Sequence, residues 1–385
     1  MGALDIRNLC HYAALSVFAI FAPLSGWAEV KAEAQVRESS FGKTSRGREA
    51  TLFTCVNANG LVLKLTDFGA TVVAIETPDR SGKQANVTLG YGDVAGYENG
   101  TAHFGCTVGR FANRINRGSF KLDGKSYQLA RNKNGHHLHG GGDRSFDRVF
   151  WKATPVHTKK EVGVSFAYRS PHEEEGYPGN LDATVTYVLT RKNEVVVTYE
   201  AKTDRPTVVN LTNHCYWNLA GNGRGAILEH ILKLASDKYL AVDADSIPTG
   251  KLLQVTGTPM DFNRPTAIGA RLKQVKKGPE VPYGYGHCYV VRPAKNDKPT
   301  LAARLTDPAS GRSMAIFTTQ PALQFYCGYG LDGSPGQAGQ GPYSALCLEA
   351  EHFPDSPNHP SFPTTTLRPG DAYKHTTIHR FSVVK

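Results

Sequence analysis

From about residue 49 onward the chain is written in short runs whose polar and apolar positions alternate with a period of two, the spacing of a half-buried strand. Leu61, Leu63 and Leu65 alternate with their neighbours, and Asp123-Gly124 between residues 119–122 and 126–129 predicts a two-residue hairpin turn. A second hairpin is predicted from residues 183–190 and 194–201, both rich in Val, Thr and Tyr and joined across Lys192-Asn193. Long helical periodicity is absent; residues 268–275 would make about two turns. No repeat, low-complexity tract or linker divides the chain beyond Glu49. The pattern predicts an all-β fold, one large antiparallel β-sandwich over residues 49–385.

The first thirty residues are patterned differently. Arg7 precedes an apolar stretch over 13–24, and Gly26-Trp27-Ala28 offers the small flanking residues of a cleavage site, so residues 1–28 read as a signal peptide. Pro23 interrupts the apolar run, which falls short of the roughly 20 residues a bilayer span needs, so cleavage fits better than a retained anchor. Cys10 lies ahead of that run, the wrong side for a lipid-modified cysteine. Residues 29–48 are polar and aperiodic and are expected to form a flexible leader. The mature chain is expected to be exported, to a periplasm or outside the cell, with no membrane contact after cleavage.

Composition adds mainly exclusions. The net charge is +10, but 44 basic and 34 acidic residues are interleaved, and the densest run, 273–277, carries no aromatics. A solvated face is expected there, and no nucleic-acid partner. The six cysteines after Cys10 form no CxxC pattern and read as buried thiols.

Three constellations carry candidate chemistry. Residues 209–219, if extended, put Asn210, Thr212, His214, Tyr216 and Asn218 on one face and Leu211, Cys215, Trp217 and Leu219 on the other. A row of hydrogen-bonding side chains around one histidine suits a hydroxyl-rich ligand, since each buried hydroxyl left unpaired costs ~1–3 kcal/mol. A histidine satisfied on a solvent-facing sheet has the same local pattern. In residues 346–355 an apolar start gives way to Glu349 and Glu351, two carboxylates on one side of a strand. A carboxylate held out of water gains proton affinity, as a general base near neutral pH requires, although surface glutamates are far commoner. The third constellation joins residues 109–118, containing Asn113 and Arg114, to residues 134–142, with His136, His137 and His139 ahead of three glycines. The close histidines invite a metal reading, but no neighbouring carboxylate or cysteine completes a ligand set. The glycines lack the Gly-Lys-Ser/Thr ending and following helix of a phosphate loop.

In consistent order along the chain stand Gly-Arg-Phe-Ala-Asn-Arg-Ile (109–115), Leu-His-Gly-Gly (138–141), Glu-Glu-Gly-Tyr-Pro-Gly (174–179), Asn-Leu-Thr-Asn-His (210–214), Thr-Thr-Gln-Pro (318–321) with Gln324-Phe325-Tyr326, and Cys-Leu-Glu (347–349). Together these segments, from about Gly60 to Phe381, resemble the aldose 1-epimerases, or galactose mutarotases. The resemblance implies a large antiparallel β-sandwich with a sugar cleft, a free aldose such as glucose or galactose as substrate, no cofactor and no metal, and a monomer or weak dimer. It implies that His214 is the general acid and Glu349 the general base. It further implies sugar contacts from Asn113, Arg114, His139, Tyr216, Asp261 and Gln324. One departure stands out: the family usually has Gly, an aromatic, Asp and His where this chain has Gly284-Tyr285-Gly286-His287. Alternatives left open are a non-catalytic carbohydrate-binding module, an epimerase of a phosphorylated or modified sugar, and a glycoside hydrolase pairing Glu349 with a second carboxylate such as Asp261.

Overall fold

The alternating runs pair as antiparallel strands in the computed structural model, which describes residues 34–158, 161–276, 283–292 and 298–384. The signal-peptide reading of residues 1–28 lies outside the described residues, as does the Lys277 end of the basic run. Nine strands form the largest sheet, in the order Lys152–His157, Glu161–Ser170, Leu181–Thr190, Glu194–Thr203, Tyr373–Val383, Arg312–Thr318, Thr300–Thr306, Ile231–Leu234 and Thr266–Ala267. A six-strand sheet runs Tyr216–Trp217, Leu346–Glu351, Ala322–Tyr326, Gly286–Val290, Lys238–Val242 and Pro248–Gln254. A five-strand meander covers Gln35–Lys43 through Gln84–Asn86.

Both predicted hairpins form: Ser119–Leu122 pairs with Lys125–Gln128, and Leu181–Thr190 with Glu194–Thr203. The inward residues explain the layering. Phe53, Leu63 and Val72 of the five-strand sheet, Val164, Val185, Val197 and Ile316 of the nine-strand sheet, and Leu323, Phe325 and Leu348 of the six-strand sheet share one buried apolar cluster. Residues Ile268–Gln274 make a short 3-10 helix that buries Ile268 and Leu272. The six cysteines of the described chain are all buried.

The leader is a correction. Gln35–Lys43 is not flexible but is the edge strand of the five-strand sheet, in register with Glu49–Val56. Most of its side chains are exposed, so it carries no apolar alternation; its backbone hydrogen bonds hold it to the sheet, with Phe41 buried and Val36 packed against the core. The folded unit therefore starts well before Glu49.

Candidate active site

Residues 209–219 do not make one strand. Thr212–Asn213 pairs with Thr107–Val108, and Tyr216–Trp217 pairs with Leu346–Glu351, so His214 sits at the step between two short ladders. Leu211, Cys215, Trp217 and Leu219 enter the core as the alternation predicts, and the opposite, polar face is buried as well. Thr212 Oγ1 donates to the Ala350 carbonyl (2.8 Å), and His352 N–H donates to Asn210 Oδ1 (2.9 Å). These bonds fix the histidine segment against the strand that carries Glu349.

The result is a close pair at the floor of a cleft of about 1210 Å³. His214 Nε2 lies 3.6 Å from Glu349 Oε2, and both side chains are almost fully buried. Tyr216 stacks on the His214 ring at 5.1 Å and 22°. Cys347 Sγ lies 3.6 Å from His214 Nδ1 behind it. Glu349 Oε2 makes no hydrogen bond. A buried carboxylate oxygen without a donor costs ~1–3 kcal/mol, which a ligand hydroxyl would relieve.

Burial lowers the His214 pKa to about 3, assisted by the charge of His103, and raises Glu349 well above the carboxylate range, assisted by the like charge of Glu351 and opposed by Arg114. Both groups are thus driven by burial toward their uncharged forms, while their 3.6 Å approach favours the ion pair. Glu351, beside them, is pushed up to about 8 by burial. Its Oε1 accepts from Asn113 Nδ2 at 3.0 Å.

Two loops roof the pair. Arg114–Ile115 pairs with His137–Leu138, His139 N–H donates to the Asn113 carbonyl (3.0 Å), and Asn113 N–H donates to His139 Nδ1 (3.2 Å). That reciprocal contact leaves the His139 proton on Nε2, so this ring is a hydrogen-bond donor in the cleft and a poor metal ligand. Ligand atoms of His139, His214 and Glu349 do lie within 4.8 Å of one another, but the tautomer argues against an ion there. His136 and His137 point elsewhere: His136 Nδ1 accepts from Arg117 N–H, and His137 bonds the Ala130 carbonyl and the Tyr177 hydroxyl.

Gly140 is essential to this loop. At φ +88 its missing Cβ would lie 1.6 Å from the Gly109 carbonyl oxygen. Glu175 accepts from the N–H groups of Gly142 and Arg144 and pins the loop from outside. Arg110, buried, serves the fold by donating to the Ser170 hydroxyl and to four backbone carbonyls, including those of Pro178 and Gly179.

The cleft brings together His214, Glu349, Asn113, Arg114, His139, Tyr216 and Gln324, seven of the eight residues singled out from the sequence. Gln324 is the cross-strand neighbour of Glu349. Asp261 is the exception. Met260 and Phe262 anchor in the core on either side of it, its carboxylate accepts from Asn263 N–H (3.0 Å), and it does not line the cleft. Gly286, at the position where the sequence departs from the family pattern, does. His103, Tyr326 and Tyr329 also line the cleft and were not singled out. Only the Tyr of Gln324-Phe325-Tyr326 carried a signal in the sequence.

The aldose 1-epimerase family model matches residues 51–380. The chain belongs to the aldose 1-epimerase family. This epimerase is 41% identical to a galactose mutarotase from Rattus norvegicus over 351 residues, 90% of this chain and 99% of the relative. It is 36% identical to an aldose 1-epimerase from Escherichia coli K12, over 87% of this chain and 96% of that one. Among solved structures, a galactose 1-epimerase from Lactobacillus acidophilus superposes with a TM-score of 0.80 at 25% identity, covering 91% of this chain and all of that one.

Proposed function

We propose that this protein is an isomerase that interconverts the α and β anomers of free hexoses, glucose and galactose among them, by opening and reclosing the sugar ring. The observation that carries the reading is the bare Glu349 Oε2, buried and 3.6 Å from His214 Nε2 at the cleft floor. Glu349 takes the proton of the anomeric hydroxyl while His214 gives one to the ring oxygen. The ring opens to an aldehyde, the first carbon–carbon bond rotates, and the two groups reverse roles on closure.

One proton shared by the pair suffices, because each turnover returns it. Burial rests that proton on Glu349. A bound sugar favours the working, charge-separated form: its hydroxyl donates to Oε2, and excluded water strengthens the pull of Arg114 on the carboxylate. His139 Nε2–H and Arg114 stabilise charge on the ring oxygen, and Asn113 and Gln324 hold further hydroxyls. Asp261, which a hydrolase reading would pair with Glu349, lies outside the cleft.

The mature protein acts after export. That reading rests on Arg7, the apolar stretch 13–24 and the small residues around Trp27. Polarimetry of freshly dissolved α-D-glucose and α-D-galactose tests the activity: decay of rotation faster than buffer is expected, and a trace no faster would overturn it. Mass spectrometry of the exported chain's first peptide tests the cleavage, with a new N-terminus close to Ala28 expected.

A further inference from the structure

One cleft histidine has no part in the chemistry above. His103 sits with its ring centroid 5.1 Å from that of His139 and 5.9 Å from that of His214. Its backbone is in the left-handed region, φ 54, where a side chain of this kind is strained. The Cys106 thiol, donating to its carbonyl at 3.2 Å, helps to hold it there.

Behind it stands a built support. His103 Nδ1 is 3.0 Å from Oδ2 of Asp147, which is buried. Ser145 Oγ donates to Oδ1 at 2.5 Å, and Arg148 Nε lies 3.3 Å from Oδ2. Burial alone would raise Asp147, but the charges and hydrogen bonds of His103, Arg148 and Ser145 outweigh it and hold this carboxyl below the usual range. An ionised carboxylate only accepts, so in the uncharged form of the ring the proton is on Nδ1 and the lone pair is on Nε2.

His139 has the opposite polarity, since Asn113 N–H occupies its Nδ1 and leaves Nε2–H to the cleft. Two adjoining imidazoles therefore offer one acceptor and one donor. A sugar hydroxyl is both.

We propose that His103, oriented by buried Asp147, is a further substrate-binding residue that accepts a hydrogen bond from one sugar hydroxyl and thereby sets which sugars the cleft prefers. The inference rests on the reading of the cleft as a free-aldose site. Asp147 acts through His103 as a positioning residue.

The test measures kcat and KM by polarimetry, above each sugar's own buffer rate, for wild type, His103→Phe and Asp147→Asn. The substrates are glucose, galactose and their analogues lacking the hydroxyl at C2, C3, C4 or C6. In wild type, loss of one of these hydroxyls is expected to lower kcat/KM about 10-fold. His103→Phe is expected to lower kcat/KM for the parent sugars by a similar factor and to be indifferent to that same hydroxyl. Asp147→Asn should move the same way by a smaller factor, mainly through KM; should it fail to fold, His103→Phe decides alone. Wild type and His103→Phe responding identically to every missing hydroxyl would overturn the inference while leaving the epimerase reading intact. A wild type no faster than buffer on any sugar would overturn both.

Discussion

Replacing Glu351 with glutamine isolates the electrostatic setting of the general base. Glu351 follows Glu349 by two positions on one strand, so at ~3.3 Å rise per residue the two are ~6.6 Å apart along it. Two unit charges at that distance repel by ~2.5 kcal/mol at an effective dielectric constant of ~20, which corresponds to ~1.8 pKa units. The repulsion acts fully only when Glu351 is itself ionised, and burial pushes Glu351 up to about 8. The working shift is therefore small at pH 7, where Glu351 is about nine-tenths protonated, and reaches about 1 unit only near pH 9. Glu351→Gln keeps the side-chain shape and an acceptor for Asn113 Nδ2 while removing the charge. Burial, the larger cause, continues to raise Glu349 in the variant.

The pair works with one proton, which rests on Glu349 and must pass to His214, so activity falls as the pH rises through the Glu349 pKa and that proton is lost to solvent. In kcat/KM against pH, taken by polarimetry with the buffer rate subtracted, the wild-type alkaline limb should lie above the ordinary carboxylate range. In Glu351→Gln it should move down by up to about 1 unit with the plateau little changed. A limb that stays in place or moves to higher pH would refute the claim that Glu351 tunes Glu349.

Gly140→Ala should lower kcat/KM at least ~10-fold and cost ~2 kcal/mol or more of stability, because the added methyl meets the Gly109 carbonyl oxygen and displaces His139; kinetics with urea unfolding check both. Acid should destabilise the fold between pH 6.5 and 5. His137, His230 and His379 are lowered to about 4, and His214 and His352 to about 3, each chiefly by burial. With folded-state values below the unfolded 6.5, their contribution is present above pH 6.5 and lost as the pH falls, at ~1.4 kcal/mol per pH unit each. Glu349 and Glu351, raised, oppose this, leaving a net loss on the order of 5 kcal/mol at pH 5. Urea midpoints at pH 7 and pH 5 test the sign, and a midpoint unchanged or higher at pH 5 would contradict it.

Where a strand alternates and has a clear turn, as at Asp123-Gly124 and Lys192-Asn193, its place in the sheet was legible in the residues. The edge strand Gln35–Lys43 was not, because most of its side chains face water and its pairing is made mainly by the backbone. Residues 209–219 were half legible. Their apolar positions reached the core, but the break that places His214 between two ladders depends on partners 107–108 and 346–347, far away in sequence. His103 was invisible for the same reason: its orienting carboxylate, Asp147, lies 44 positions on. Asp261 came from the resemblance alone, because a Met-Asp-Phe triplet does not tell whether the middle side chain faces a ligand or caps its own turn.

The central claim is that His214 and Glu349 act as one proton-exchanging unit. Its most direct test is the rate of exchange between the α and β anomeric proton resonances at sugar equilibrium, measured by NMR for wild type, His214→Asn, Glu349→Gln and the double variant. Each single variant should lose ~10²-fold or more, and the double variant no more than the worse single, because removing either partner disables the pair. Losses that multiply in the double variant, or a single variant that keeps the wild-type rate, would contradict the account.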